Sequence, residues 1–236
     1  MVKDARFDLP LYTTAQAARL VGMNASTLAT WAQGYERRFT GRPDVQQGPV
    51  ITAISASDRS KATIPFIGLV EATVVQAFRR TELPLQRIRR ALEVLANQGE
   101  LVHALASRRL YTDGAQVLFD YAKDTEDGQL RLLTVVVSGQ RVFHEVIAHY
   151  LQRIKFSGDD WATELIVPVT ENRVLRILPG VADGDPLFIH GGAPLSAVMS
   201  RYRAGEAVHS IAADFGVPES ELLEAIHAIW SSTQAA

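Results

Sequence analysis

His144 and His149 flank Glu145 in His144-Glu145-Val146-Ile147-Ala148-His149, the residue types with which zinc hydrolases hold a metal and activate water. That chemistry needs the two histidines four apart, on one helix face. Five apart, they diverge by about 140° at roughly 100° per residue, so a polar helix face is the better reading. His190-Gly191-Gly192-Ala193 has the form of an oxyanion-hole turn, but no Gly-x-Ser-x-Gly nucleophile elbow accompanies it. The glycine pair reads as a positive-φ turn between a strand and a helix. Asp183 and Asp185 flank Gly184 and read as turn formers, not metal ligands. Phosphate-binding loops and Gly-x-Gly-x-x-Gly are missing, and with no cysteine the chain excludes thiol catalysis, disulfides and cysteine-based zinc sites. No catalytic residue, metal or cofactor is expected.

A second chemistry fits better, that of reading nucleic acid. One pattern occurs near both ends: Ala17-Ala18-Arg19-Leu20-Val21-Gly22-Met23-Asn24-Ala25-Ser26-Thr27-Leu28, and Ile211-Ala212-Ala213-Asp214-Phe215-Gly216-Val217-Pro218-Glu219-Ser220-Glu221-Leu222. Aligned on Gly22 and Gly216, each is a short helix, a glycine turn, an apolar residue, a polar helix start and a leucine. This is helix-turn-helix patterning, which places a second helix in the major groove. In the first copy the second helix offers Asn24, Ala25, Ser26, Thr27 and Thr30, short side chains suited to base edges, thymine methyls and phosphates. Thr14 opens the first helix. Arg37, Arg38 and Arg42 follow as phosphate contacts, with Arg59 and Lys61 beyond them. In the second copy Glu206, Asp214, Glu219, Glu221 and Glu224 face only Arg201 and Arg203, so a protein contact is expected there.

The elements that must position these residues follow from local signals. Thr13-Thr14-Ala15-Gln16 is a capping box, Gly22 stops the first helix, Asn24 or Ser26 caps the second, and Gly34 ends it. Val50–Ile54 and Ala62–Ile64 are β-prone runs around the polar tip Ser57-Asp58-Arg59-Ser60-Lys61, a wing-like hairpin. Apolar spacing predicts helices over 66–80 and from Pro84 onward, the latter burying Leu85, Ile88, Leu92 and Leu95. Its opposite face carries Arg87, Arg89 and Arg90, ordinarily a solvated face. Strands are expected at 115–122, 130–137, 163–169 and 174–178, an amphipathic helix or extended segment at 142–154, and helices at 195–203, 207–215 and 218–230.

The chain has 236 residues, 47% of them apolar, enough for one large domain or two to three small ones. No apolar run reaches the span of a membrane and no signal peptide is visible, so a cytoplasmic protein without a membrane partner is expected. The net charge of −2 hides an asymmetry. Residues 1–111 hold fifteen Lys and Arg against nine Asp and Glu; residues 112–236 hold nine against seventeen. A basic half beside an acidic one suits an anion-binding module joined to something else, although surface variation alone also produces such splits.

Tyr12-Thr13-Thr14-Ala15-Gln16-Ala17-Ala18 through Leu28-Ala29-Thr30-Trp31 resembles the winged helix of MerR-type regulators. Leu69-Val70-Glu71 and Leu85-Gln86-Arg87-Ile88-Arg89-Arg90-Ala91 resemble their later helices. Ile177-Leu178-Pro179-Gly180 through Gly192-Ala193-Pro194 to Ala204-Gly205-Glu206-Ala207-Val208 and Ile211–Val217 resembles a small domain of VapB-type antitoxins paired with PIN-domain ribonuclease toxins. The resemblance implies an antitoxin that holds a PIN-domain toxin inactive, by occluding its carboxylate-metal site or inserting a basic side chain, and that represses its own operon by binding operator DNA as a homodimer.

The expected fold is mainly α with small β elements, an α+β protein in three segments. Residues 1–110 form the winged helix-turn-helix, 111–172 a β-containing connector or dimerisation region, and 173–236 the antitoxin-associated helical domain. The alternative is a MerR-type transcriptional regulator without a toxin, against which stands the lack of a heptad run for a dimerisation coiled coil. A structural adaptor without DNA contact is a third reading, and a metal-dependent hydrolase the remotest.

Overall fold

The computed structural model describes residues 4–37, 45–55, 62–80, 84–98, 102–110 and 152–234. Within them the protein is mainly helical with small antiparallel β elements. The order is α1 (Thr14–Val21), α2 (Ala25–Gln33), β1 (Tyr35–Arg37), β2 (Val45–Gln47), α3 (Phe66–Arg80), α4 (Leu85–Gln98), a 3₁₀ turn (Ala104–Ala106), β3 (Ile154–Phe156), β4 (Ala162–Ile166), β5 (Leu175–Ile177), β6 (Leu187–Phe188), α5 (Leu195–Arg203), α6 (Val208–Phe215) and α7 (Glu219–Gln234).

The chain forms two compact units. One joins Met1–Leu69 to Thr163–Ala236, and the other is Val70–Ala162. The first unit is discontinuous because the C-terminal residues fold back onto the N-terminal helix pair.

In the first unit α1 packs on α2, α6 on α7, α5 on α6, and α1 on α7. β4, β5 and β6 pair antiparallel, with Leu165 opposite Ile177 and Leu175 opposite Phe188. Leu165, Leu175, Ile177 and Phe188 are fully buried, as the alternation of apolar and polar residues along these strands requires. In the second unit the rest of α3 is buried almost all round, through Val70, Ala72, Val74, Val75 and Phe78, and α4 contributes Ile88, Ala91, Val94 and Leu95. A helix apolar on every side belongs in an interior, and α3 is one. Leu85 and Leu92, expected in the core, are only part-buried.

The expected strand pair at 50–54 and 62–64 forms differently. Val50 and Ile51 both donate their amides to the carbonyl of Trp31, and Thr63 and Ile64 donate theirs to Tyr12. With those groups engaged by the helix pair, what remains is an isolated bridge between Tyr12 and Ile64 and one bond from Ile54 N–H to Thr63 O, 2.8 Å. The hairpin ladder lies earlier, with Tyr35 opposite Gln47 and Arg37 opposite Val45. The wing tip at 57–61 and everything expected between 111 and 151, including the His144–His149 motif, lie outside the described residues.

Candidate nucleic-acid interface

The two sequence repeats fold into the same turn. The Gly22 amide donates to the Arg19 carbonyl at 3.3 Å and the Met23 amide to Ala18 at 3.0 Å. In the second copy Gly216 donates to Ala213 at 3.3 Å and Val217 to Ala212 at 3.0 Å. These paired 5→2 and 6→1 bonds are a Schellman ending, which needs a left-handed residue at the turn. Gly22 has φ +73° and Gly216 φ +64°. The leucine six residues on, Leu28 in one copy and Leu222 in the other, is 0% exposed in both.

Around the first turn the caps are those the sequence specifies. Thr13 Oγ1 accepts from the Gln16 amide at 3.2 Å, and Gln16 Oε1 accepts from the Thr13 amide at 2.9 Å, closing the capping box. Asn24 is the N-cap of α2, its Oδ1 accepting from the Ser26 amide at 2.8 Å.

α2 buries Leu28, Trp31 and Ala32 and leaves Asn24, Ser26 and Thr27 exposed at its first turn. Those exposed groups surround the amides that point out of a helix N-terminus, where anions bind. Ser26 donates its hydroxyl to Asn24 Oδ1 at 2.6 Å, and Thr30 donates to the Ser26 carbonyl at 3.0 Å. Their hydroxyl protons are thus engaged locally, and Thr30 is half-buried. Thr14 sits half-buried in the first turn of α1, and Arg37 closes β1. Arg38, Arg42, Arg59 and Lys61 lie outside the described residues.

The carboxylates of the second copy serve as internal braces. Arg201 donates from Nε to Glu206 Oε2 at 2.7 Å and through Nη2 to both Glu206 and Asp214, the latter at 2.6 Å. Its guanidinium also lies 5.3 Å from the Phe215 ring centroid. The hydrogen bond from Arg201 holds the Glu206 carboxyl below its ordinary value. His190 Nδ1 is 2.8 Å from Glu221, and Glu224 accepts from the Asn172 amide at 2.9 Å and its side chain at 2.7 Å. Four of the five acids that stood out in the sequence therefore tie α5 to α6, and α7 to the segments that hold Asn172 and His190, while Glu219 stays exposed. Gly191 (φ +75°) and Gly192 (φ +68°) form the expected positive-φ turn between β6 and α5. Asp185 accepts from the Ser196 amide at 3.0 Å at the start of α5.

Sequence reading missed Tyr12. Its hydroxyl donates to the Gly184 carbonyl at 2.6 Å and is buried. Burial, with a smaller contribution from the charge of Asp185, pushes its ionisation upward from the ordinary tyrosine value. Nothing local signals this bond, since its partner lies 172 positions later.

Among the described residues no group of three or more His, Asp or Glu is placed to hold a metal ion, and no helix is long and apolar enough to cross a membrane.

A family model described as "Putative DNA-binding HTH domain" matches residues 10–92. Over 232 residues the chain is 42% identical to "Putative antitoxin VapB45" of Mycobacterium tuberculosis (strain ATCC 25618 / H37Rv), covering 96% of each chain. It is 24% identical over 225 residues to Rv2308 of the same organism, covering 93% of this chain and 90% of that one. The crystal structure of Rv2018 from Mycobacterium tuberculosis is similar, with a TM-score of 0.76 and 38% identity over 94% of this chain and 99% of that chain. The chain belongs to the VapB-type antitoxin family and carries a helix-turn-helix of the DNA-binding class at its N-terminal end.

Proposed function

We propose that the protein is the antitoxin of a type II toxin-antitoxin system. It neutralises a PIN-domain ribonuclease by direct binding, represses its own operon through operator DNA, and acts in the cytoplasm as a homodimer without catalysis of its own. Thr14, Asn24, Ser26, Thr27, Thr30, Arg37, Arg38, Arg42, Arg59 and Lys61 make the DNA contacts. The toxin is held by residues 173–236 or by the middle region 111–172.

One observation carries the DNA half of this reading. The C-terminal helices pack on α1, yet the first turn of α2, with Asn24, Ser26 and Thr27, stays open. The second copy also leaves its helix start polar and exposed, but with Glu219, whereas Asn24, Ser26 and Thr27 carry no charge that phosphate would repel. The exposed Glu219 at the second copy's helix start supports a division of labour, in which phosphate is met at Gly22 and protein near Gly216.

The test is to co-express the chain with the ribonuclease of the adjacent reading frame, then measure RNA cleavage and binding to upstream DNA across a salt series. Suppression of cleavage in a stable complex, with affinity falling steeply in salt, is the expected result. Cleavage that continues at saturating protein would overturn the antitoxin reading. DNA binding alone would leave a transcriptional regulator.

A further inference from the structure

Beside the Tyr12–Gly184 bond the first unit holds a half-open cleft of about 280 Å³. Leu11, Leu20, Pro186, Leu195 and Ile229 supply apolar walls, and Gln16, Arg19, Asp183 and Asp185 supply the polar groups. Apolar walls with a few converging polar groups are the usual makeup of a small-molecule site, and this volume fits a small ligand.

The charges in the cleft do not neutralise one another. Arg19 donates Nε to the Ala15 carbonyl of its own helix at 3.3 Å and forms no ion pair among the described residues. Asp185 has one oxygen on the Ser196 amide. Asp183 is exposed and makes no hydrogen bond or ion pair among the described residues. Gln16 has its oxygen in the capping box, which leaves its amide N–H groups as donors. One cation, Arg19, and two carboxylates, Asp183 and Asp185, thus line the cleft beside its apolar walls, with no ion pair among them.

The wall that carries Asp183 is held in a costly conformation. Ala182 (φ +48°) and Asp183 (φ +50°) are consecutive non-glycine residues in the left-handed region, followed by Gly184 at φ +79°. Left-handed backbone is unfavourable for residues with a Cβ, and strain of this kind concentrates at ligand clamps. The Tyr12 hydroxyl on the Gly184 carbonyl fixes the turn.

We propose that this cleft binds a small zwitterion of the α-amino acid type with an apolar side chain. Its carboxylate meets Arg19 and the Gln16 amide, its ammonium meets Asp183, and its side chain lies on Leu20, Leu195 and Ile229.

The experiment titrates the full chain with L-leucine, L-methionine and L-phenylalanine by calorimetry. The single-charge analogues 4-methylpentanoate and 3-methylbutylamine run beside them. Saturable binding of at least one amino acid is expected, with both analogues at least about tenfold weaker, since a hydrogen bond to a charged group contributes roughly 1.5–3 kcal/mol. Arg19→Gln and Asp183→Asn should each weaken binding by a similar factor while the ligand-free melting temperature holds. Asparagine tolerates the left-handed region and glutamine the helix, so both variants are expected to fold. The analogue arm tests the inference on the unaltered protein. No binding by any of the three at about 10 mM would overturn it, as would analogues that bind as tightly as the amino acid, or binding indifferent to both substitutions.

Discussion

The Tyr12 hydroxyl and the Gly184 carbonyl, 2.6 Å apart, join the segment leading into α1 to the turn before β6. The contact constrains both partners. A Cβ at position 184 would lie 2.8 Å from the Tyr12 hydroxyl and 2.9 Å from Leu11 Cδ1, on a backbone already at φ +79°. A side chain at position 184 would displace one of these groups and strain the backbone, so glycine is favoured there. With the packing of α7 on α1, this bond makes the N-terminal helix pair and the C-terminal helices one unit.

Tyr12→Phe removes the donor and leaves a carbonyl without its partner. The expected loss is about 1–3 kcal/mol of unfolding free energy, read from urea denaturation. The pH dependence carries a second signature. The folded-state ionisation of Tyr12 is raised, so its contribution is complete below the ordinary tyrosine value of 10.0 and is lost as pH rises beyond that value through the folded one. The phenylalanine variant lacks that alkaline loss. Parallel decline of both proteins above pH 10 would show that Tyr12 is not the group responsible.

Leu28 and Leu222 hold equivalent places after their turns and are equally buried. Leu28→Ala and Leu222→Ala should each cost about 2–5 kcal/mol, because both open a cavity in a closed packing site. Their functional effects should separate. At a temperature where both variants remain folded by circular dichroism, only Leu28→Ala should weaken operator binding, since it alone supports the exposed α2 N-terminus. Equal loss of DNA affinity in both would count against the division of labour between the two copies.

Much of the positioning frame was legible because it is written in local rules. The capping box at Thr13 and Gln16, the turns at Gly22 and Gly216, the N-cap at Asn24 and the helix over 195–203 all follow from neighbours a few positions apart. The wing-like strands were misread because β propensity at Val50–Ile54 and Ala62–Ile64 says nothing of which partners their amides take, and Trp31 and Tyr12 took several of them. The carboxylates of the second copy looked like a repulsive surface because a sequence does not show that Glu224 meets Asn172 or that Glu221 meets His190. The Tyr12–Gly184 bond and the cleft beside it arise from a fold-back of the whole chain, which no spacing rule encodes.

Asn24 combines a structural and a proposed functional role, and two substitutions separate them. Asn24→Asp keeps an N-cap oxygen and adds a negative charge that the helix N-terminus tolerates, so the melting temperature should hold or rise slightly. The same charge would face phosphate, so operator affinity should fall. Asn24→Ala loses the cap and should cost about 0.5–2 kcal/mol. If Asn24→Asp binds operator as tightly as the unaltered protein, the α2 N-terminus does not approach DNA.

Arg37 ends β1, a few residues beyond α2, and is proposed to meet a backbone phosphate. Such a contact displaces condensed counterions, so its removal has a quantitative mark. Arg37→Ala should weaken binding to specific and unrelated DNA alike and reduce the slope of log affinity against log salt by about one. Thr27→Ala, on the exposed first turn of α2, should instead weaken the specific site more than unrelated DNA and leave the salt slope unchanged. Titrations at four salt concentrations with both DNAs distinguish these patterns. An unchanged slope for Arg37→Ala would remove that residue from the interface, and equal losses on both DNAs for Thr27→Ala would remove base reading from α2.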